Sequence, residues 1–314
     1  MKNKFLLFGL FSSVVNVAFA QTAAKNQSDL ATDNVKGNVL QITDKYYQML
    51  QTKTGKDSVG QEWEGTDRNY VMNYNPKGMV TWATYYKTGS TLDYRYIFKY
   101  DASGNRVEET WFDSDNALDY RLTRKFSNNG FLMELEKFTD TTGEFSEKTV
   151  YEPNPTGSPL KASLYDENNT LLQTTTYVYD GFGNKTEEDN FDAKGKQLGK
   201  VVYTYDSRHL PTEEDAYSPT GEIMTKKKFQ YEYRGKLSQQ QNFDNTGKLV
   251  EKNVFVYNDQ GDQSDWNNFD RTGYTVYNYT YTYEYDAKGN WIKQTTLQAG
   301  KAVFLTTREI KYSE

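Results

Sequence analysis

Tyr177-Val-Tyr179-Asp180-Gly-Phe-Gly183-Asn184-Lys-Thr-Glu187-Glu188-Asp189-Asn190-Phe191-Asp192-Ala-Lys-Gly195 is one copy of a pattern that the chain repeats. An alternating aromatic run ends in aspartate and a Gly-Asn turn; a polar run then ends in Phe-Asp and a second glycine. The second-half aromatic recurs at Phe191, Tyr217, Phe243 and Phe269, at a constant spacing of 26, and each is followed by Gly195, Gly221, Gly247 or Gly273. Self-similarity at so short a period marks an array, in which each unit packs on its neighbours instead of on one central core.

Outward from this stretch, the array runs from about Arg68 to Tyr312 and holds nine copies. The first-half aromatic falls at Tyr74, Tyr100, Phe126, Tyr151, Tyr179, Tyr205, Tyr233, Tyr257 and Tyr285. The second-half position is Tyr85, Phe112, Phe138, Tyr165, Phe191, Tyr217, Phe243, Phe269 and Leu297. In the first turn Asp180 accepts from the backbone ahead of it and Gly183 takes the left-handed conformation, the chemistry of a hairpin closed by a type I turn and a bulge. Asp192 and Gly195 do the same at the second turn. Turns this short make successive strands antiparallel neighbours. The expectation is an all-β fold: a tandem β-hairpin repeat array of about nine 26-residue two-stranded units. Its roughly eighteen strands form a long, twisted antiparallel meander sheet, single-layer or coiled. A propeller is the weaker alternative, because pairs of copies show no alternation of blade interior and edge. A transmembrane barrel needs an outward apolar band that Glu187-Glu188-Asp189 and Glu213-Glu214-Asp215 cannot supply.

Tyr177-Val-Tyr179-Asp180-x-x-Gly183-Asn184, Tyr203-Thr-Tyr205-Asp206 and Tyr283-Glu-Tyr285-Asp286-x-x-Gly289-Asn290 resemble the YD repeats of the bacterial RHS family, over most of the chain after Arg68. The resemblance implies an exported bacterial protein, and small members of that kind are described as wall-associated or carbohydrate-binding. Large members wind the repeats into a hollow shell around a toxin segment. Asparagine commonly follows the turn glycine here, where that family usually has an arginine-leucine pair, and nine copies are too few to close a shell. The shell function is not carried over.

Residues 1–20 read as a signal peptide: Lys2 and Lys4, an apolar stretch from Phe5 to Val17, and Ala18-Phe19-Ala20 before the cleavage point. Residues 21–34 are small and polar, the composition of a disordered leader. Residues 35–67 read as N-terminal capping strands, since Leu40, Ile42, Tyr46 and Leu50 share one parity, and the array occupies 68–314. The reading is therefore export to the periplasm, the cell surface or the medium. The 314 residues contain no cysteine, which excludes a lipoprotein anchor, disulfides and thiol catalysis. Loss of Lys2 and Lys4 makes a formal charge of -6 more acidic still, which disfavours nucleic acid as a partner. No membrane insertion is expected after signal cleavage.

Catalytic chemistry is thin. His209, the one histidine, lies where other copies have a turn Gly or Asn. No metal site and no cofactor are expected. The carboxylate pairs Glu187 with Asp189 and Glu213 with Asp215 share a strand face about 7 Å apart, a spacing open to a polysaccharide hydrolase. Their recurrence on flat strands favours solubility, and no enzyme is expected. Pro153, Pro155 and Pro159 interrupt one copy, as a bulge or a functional loop. The aromatic departures carry the functional reading. Tyr277, Tyr279, Tyr281, Tyr283 and Tyr285 occupy alternate positions of one strand, and Tyr94, Tyr96, Phe98 and Tyr100 form a shorter stripe. Exposed, such rows stack on sugar rings or on a protein surface; buried, they are an internal ladder. The chain reads as a non-enzymatic binding or scaffold protein whose partner is a glycan or an envelope or extracellular protein. A purely structural spacer or protein-interaction module is the alternative.

Overall fold

A computed structural model of the chain describes residues 28–51, 57–63, 68–139 and 143–313. The expected signal peptide and residues 21–27 lie outside the described residues. The first elements are a one-turn helix α1 (Asp29–Thr32), β1 (Val39–Gln51) and β2 (Asp57–Glu62). Then come β3 (Asn69–Tyr74), β4 (Val80–Tyr86), β5 (Leu92–Tyr100), β6 (Arg106–Phe112), β7 (Leu118–Phe126), β8 (Leu132–Thr139) and β9 (Glu144–Pro153). The middle holds β10 (Pro159–Asp166), β11 (Leu171–Tyr179), β12 (Lys185–Asp192), β13 (Gln197–Tyr205), β14 (Pro211–Tyr217) and β15 (Ile223–Tyr231). Last are β16 (Leu237–Phe243), β17 (Leu249–Tyr257), β18 (Gln263–Asp270), β19 (Thr275–Tyr285), β20 (Trp291–Gln298) and β21 (Lys301–Tyr312).

The all-β hairpin array is as expected, but the sheet is not an open meander. From β3 to β21 each strand pairs antiparallel with the next, and β1 then pairs with β21 along one edge and β3 along the other. Thr43 faces Glu309 in β21 and Val71 in β3, so β1 closes a ring of twenty strands. β2 forms a hairpin on the far end of β1. Closure removes the two long edges that an open array would expose. The array closes only with a strand from outside it, because the expected capping segment supplies β1. Its seam is fixed by charge: Arg308 Nε and Nη2 donate to the two carboxylate oxygens of Asp44 at 2.8 and 2.7 Å, and Nη2 also donates to the Tyr70 hydroxyl at 2.9 Å.

The turns follow the sequence reading. Gly183 has φ +88°, its N–H donates to Asp180 O at 3.1 Å, and Asp180 Oδ1 accepts from the N–H groups of Phe182 and Asn184 at 2.9 Å. The register slips by one residue beside it, between Val178 and Tyr179. The proline copy uses the same device: Asn154 Oδ1 caps the N–H groups of Thr156 and Ser158, and Gly157 has φ +95°. It is an ordinary turn of the series. One aromatic was misplaced: β15 ends at Tyr231, and Tyr233 lies in the following turn, 83% exposed. Glu232 takes the capping aspartate's place there, accepting from Lys236 N–H at 3.0 Å.

Which face is inside follows from residues 28–36; of these, 28–34, expected as part of a disordered leader, are ordered and include the one-turn helix α1. Leu30 N–H donates to Gly78 O at 3.2 Å in the β3–β4 turn, while Asn34 Nδ2 reaches Gln260 O at 3.0 Å in the β17–β18 turn. Around the sheet those hairpins stand six strand spacings apart, roughly 29 Å. Val35 N–H donates to Leu30 O at 2.8 Å, so the segment folds on itself and bridges a much shorter chord. Only a sheet curved toward the segment meets both of its ends. Leu30 packs on Val39, Ile42, Tyr74 and Val80, with Tyr96, Phe98 and Tyr312 around them, so that face is the inner wall.

Register partners carry the inner wall around the ring: Ala83, Tyr96, Trp111 and Tyr120 in β4 to β7, Tyr177, Glu188 and Val201 in β11 to β13, Trp266 and Tyr279 in β18 and β19. The first-half tyrosines point in. From Phe112 onward the second-half aromatics point out, several beneath cations, with Arg95 4.3 Å from the Phe112 ring centroid and Arg121 4.4 Å from that of Phe138, whereas Tyr85 of the first copy turns inward onto Tyr94. Between them the outer face carries ion pairs such as Lys200 with Glu187 at 3.1 Å, and Lys226 with Glu213 and Asp215. These pairs place charge among outward apolar side chains such as Val178 and Val256, where a lipid-facing wall requires a continuous apolar band.

Candidate binding surface on the inner wall

The two tyrosine stripes expected as binding residues both lie on the inner wall, not on an extended outer surface. In the shorter one, Tyr94 stacks on Tyr85 at 4.5 Å and 18° and on Trp111 at 5.7 Å and 18°, and Trp111 stacks on Tyr120 at 5.4 Å. Tyr96 tilts against Trp111 and Phe98, and Phe98 lies under the Arg106 guanidinium at 3.9 Å. At one end Tyr85 meets Tyr70, and at the other Lys137 Nζ stands 5.8 Å from the Tyr120 ring. Rings stacked so closely from strand to strand have spent their faces on one another. Tyr94, Tyr96, Phe98 and Tyr100 are therefore an internal ladder, the alternative weighed for them. Tyr100 also ties strands, its hydroxyl donating to Val80 O at 2.7 Å.

The longer stripe divides. Near the Asp-Gly turns, Tyr283 donates to Gln263 O at 2.6 Å and Tyr285 to Asp262 Oδ2 at 3.0 Å, so both hold adjacent copies together. Tyr281 lies between the stripe's two halves, and burial raises its hydroxyl pKa. Toward the opposite rim, Tyr277, Tyr279 and Trp266 form a different arrangement: centroids 6.0, 5.8 and 6.1 Å apart and planes within 28° of parallel. Three rings mutually about 6 Å apart cannot all be face to face; they make an offset platform. Tyr277 is 45% exposed.

Amides back this platform. Trp266 Nε1 donates to Asn253 Oδ1 at 2.9 Å, Asn268 Nδ2 donates to Asn253 Oδ1 at 2.9 Å and to Glu251 Oε1 at 2.6 Å, and Asn242 Nδ2 donates to Glu251 Oε2 at 3.1 Å. Gln240 Nε2 donates to Asn242 Oδ1 at 3.0 Å. Trp266 and these side chains were not singled out from the sequence. The available signal was a change of type, since Gln240-Gln241-Asn242 and Asn267-Asn268 replace the acidic Glu187-Glu188-Asp189 and Glu213-Glu214-Asp215 of other copies.

The remaining candidates are accounted for locally. Lys226 holds Glu213 and Asp215 on the outward face, and Lys228 approaches Glu213 at 3.6 Å. His209 occupies a turn with φ +65°, its Nδ1 3.1 Å from Asn184 Nδ2 and its ring against Phe182. A shallow cleft of about 660 Å³ lined by Gln61, Glu62, Trp63, Thr88 and Gly89 lies beside β2. Among the described residues no cluster of three or more His, Cys, Asp or Glu side chains is arranged to hold a metal.

Fold and wall together define a closed, all-β repeat barrel with aromatic interior and charged exterior. No protein-family model and no curated protein matches the chain. Among solved structures it is similar to a porin-like protein from Bacteroides uniformis, at 10% identity over 87% of this chain and 98% of that one, TM-score 0.36. A porin-like protein from Bacteroides vulgatus matches at 11% identity over 88% and 99%, TM-score 0.30. A TcdB2-TccC3 structure matches at 12% identity, TM-score 0.31, over 83% of this chain but 18% of that one. Likenesses this distant say nothing of function.

Proposed function

We propose that this is an exported YD-repeat protein of the cell envelope or exterior that works by binding, with a glycan as its ligand. The observation that carries the reading is the Trp266, Tyr277 and Tyr279 platform, where ring faces are offset and Tyr277 meets solvent. Such a surface suits the apolar face of a sugar ring, and the surrounding amides suit its hydroxyls. Of the stripes read from the sequence, Tyr277 and Tyr279 remain as ligand contacts. Charged outward strands support a barrel that stays in water, and carboxylates paired to lysine on a convex face support a non-enzymatic role.

The test is a glycan array with the mature protein, followed by titration of Trp fluorescence with any glycan that binds. Tyr277→Ser and Tyr279→Ser are expected to weaken binding by about 1 kcal/mol each while the thermal melt keeps its shape. No binding by the wild type to any glycan, or binding unmoved by both changes, makes the structural spacer the better account.

A further inference from the structure

We infer that the wall formed by β16 to β19 selects uncharged glycans over acidic ones, a reading that rests on the proposed glycan-binding function. Asn242, Glu251, Asn253, Asn268 and Trp266 hydrogen-bond to one another in a single connected set, and Tyr277 and Tyr279 stack on Trp266. Within the set the only charge is Glu251. Both of its oxygens accept from amides, and among the described residues it makes no ion pair. The nearest lysine in sequence, Lys252, lies over the Phe269 ring on the opposite face. On the inner wall, Lys227 of β15 is already held by Glu214 at 2.7 Å.

The consequence follows from electrostatics. A uronate or sulfate seated on the platform would bring a second negative charge beside Glu251, on a wall where the dielectric is lower than in water and where the network itself holds no cation, Arg68 lying instead over the Tyr46 ring at 4.7 Å and beside Tyr281. A hydroxyl meets the opposite situation. It donates to a carboxylate oxygen or an amide oxygen, and it accepts from an amide N–H, all in positions fixed by the network. Amide anchors around one uncompensated carboxylate thus give both attraction to neutral rings and repulsion of acidic ones.

The experiment measures binding of the wild type and of Glu251→Gln to matched polymers: a neutral glucan or galactan, and a polyuronate such as pectate or alginate, at low and at high salt. The wild type is expected to prefer the neutral polymer by about tenfold or more, with the gap narrowing as salt screens the carboxylate. Glu251→Gln is expected to raise the acidic-to-neutral ratio of affinities by at least about threefold. A wild type that binds acidic and neutral polymers alike, or a ratio that Glu251→Gln leaves unmoved, overturns the selectivity while glycan binding stands. If no polymer of either kind binds, the binding function fails and the selectivity with it.

Discussion

The hydroxyl of Tyr205 donates to the backbone carbonyl oxygen of Lys185, 2.7 Å away and 20 residues earlier. Tyr100 does the same to Val80, Tyr179 to Pro159, Tyr257 to Leu237 and Tyr283 to Gln263, each at the same separation. Each tie joins the end of one copy's first strand to the start of the previous copy's second strand, where a turn has left the ladder irregular. A tyrosine at this position therefore anchors through its polar tip while its ring packs on the inner wall.

Tyr205→Phe keeps the ring and removes one such tie, so a loss of about 1 kcal/mol in urea unfolding is expected, with an unchanged fold. A neutral result would make the ties incidental to the array's stability.

The seam is a heavier contact. Arg308 is largely buried against Asp44 and its guanidinium lies 3.5 Å over the Trp291 ring. Arg308→Leu strands the Asp44 carboxylate and is expected to cost about 3 to 5 kcal/mol, whereas Lys161→Ala, which removes an exposed pair with Glu152, costs less than about 1 kcal/mol. Equal effects in denaturant titration would contradict a closed seam.

Turn chemistry sets a third expectation. At φ +88° with open space around its Cα, Gly183 is there for its backbone conformation alone. Gly183→Ala is expected to cost about 1 kcal/mol, and Gly183→Val more, because a branched side chain tolerates the left-handed region least. Indifference to both changes would refute the turn assignment, which chemical denaturation of the two variants tests.

Much of this was legible because it is local. The spacing of 26, the capped turns and the alternation that puts a strand's aromatics on one shared face all follow from residues within one copy. Closure was not, since the pairing of Asp44 with Arg308 spans most of the chain and β1 is not itself a copy of the repeat. Tyr233 was misread because an aromatic stands on each side of Glu232; the spacing of 26 from Tyr205 and to Tyr257 already selects Tyr231, and the hydrogen bond from Lys236 N–H to Glu232 agrees with it. The tyrosine stripes were seen, but parity alone says that a row shares a face, not whether that face curves inward. The amide network was overlooked because glutamine and asparagine on a polar strand look like any solvated edge.

The inner wall also makes the barrel sensitive to alkali. Burial pushes the hydroxyls of Tyr151 and Tyr205 up to about 12 from an ordinary value near 10. The folded chain then holds protons that the unfolded chain releases, so this stability is full below about pH 10 and is lost as the pH rises toward 12. Tyr151, 7% exposed, contributes on the order of 2 to 3 kcal/mol. Thermal melts across that range, followed with tyrosinate absorbance, should show unfolding and ionisation together. Tyrosines that all ionise like free tyrosine without loss of structure would place the ladder in solvent.

Closure is the central claim, and the absence of cysteine makes it directly measurable. Thr43 and Glu309 are register partners across the seam, on the outward face. In a Thr43→Cys, Glu309→Cys double variant, mild oxidation should join β1 to β21 with high yield, seen as a mobility shift that a reductant reverses, while Thr43→Cys with Thr204→Cys gives no such product. A sheet left open between its first and last strands would leave the first pair as unreactive as the second, and that result would contradict the barrel.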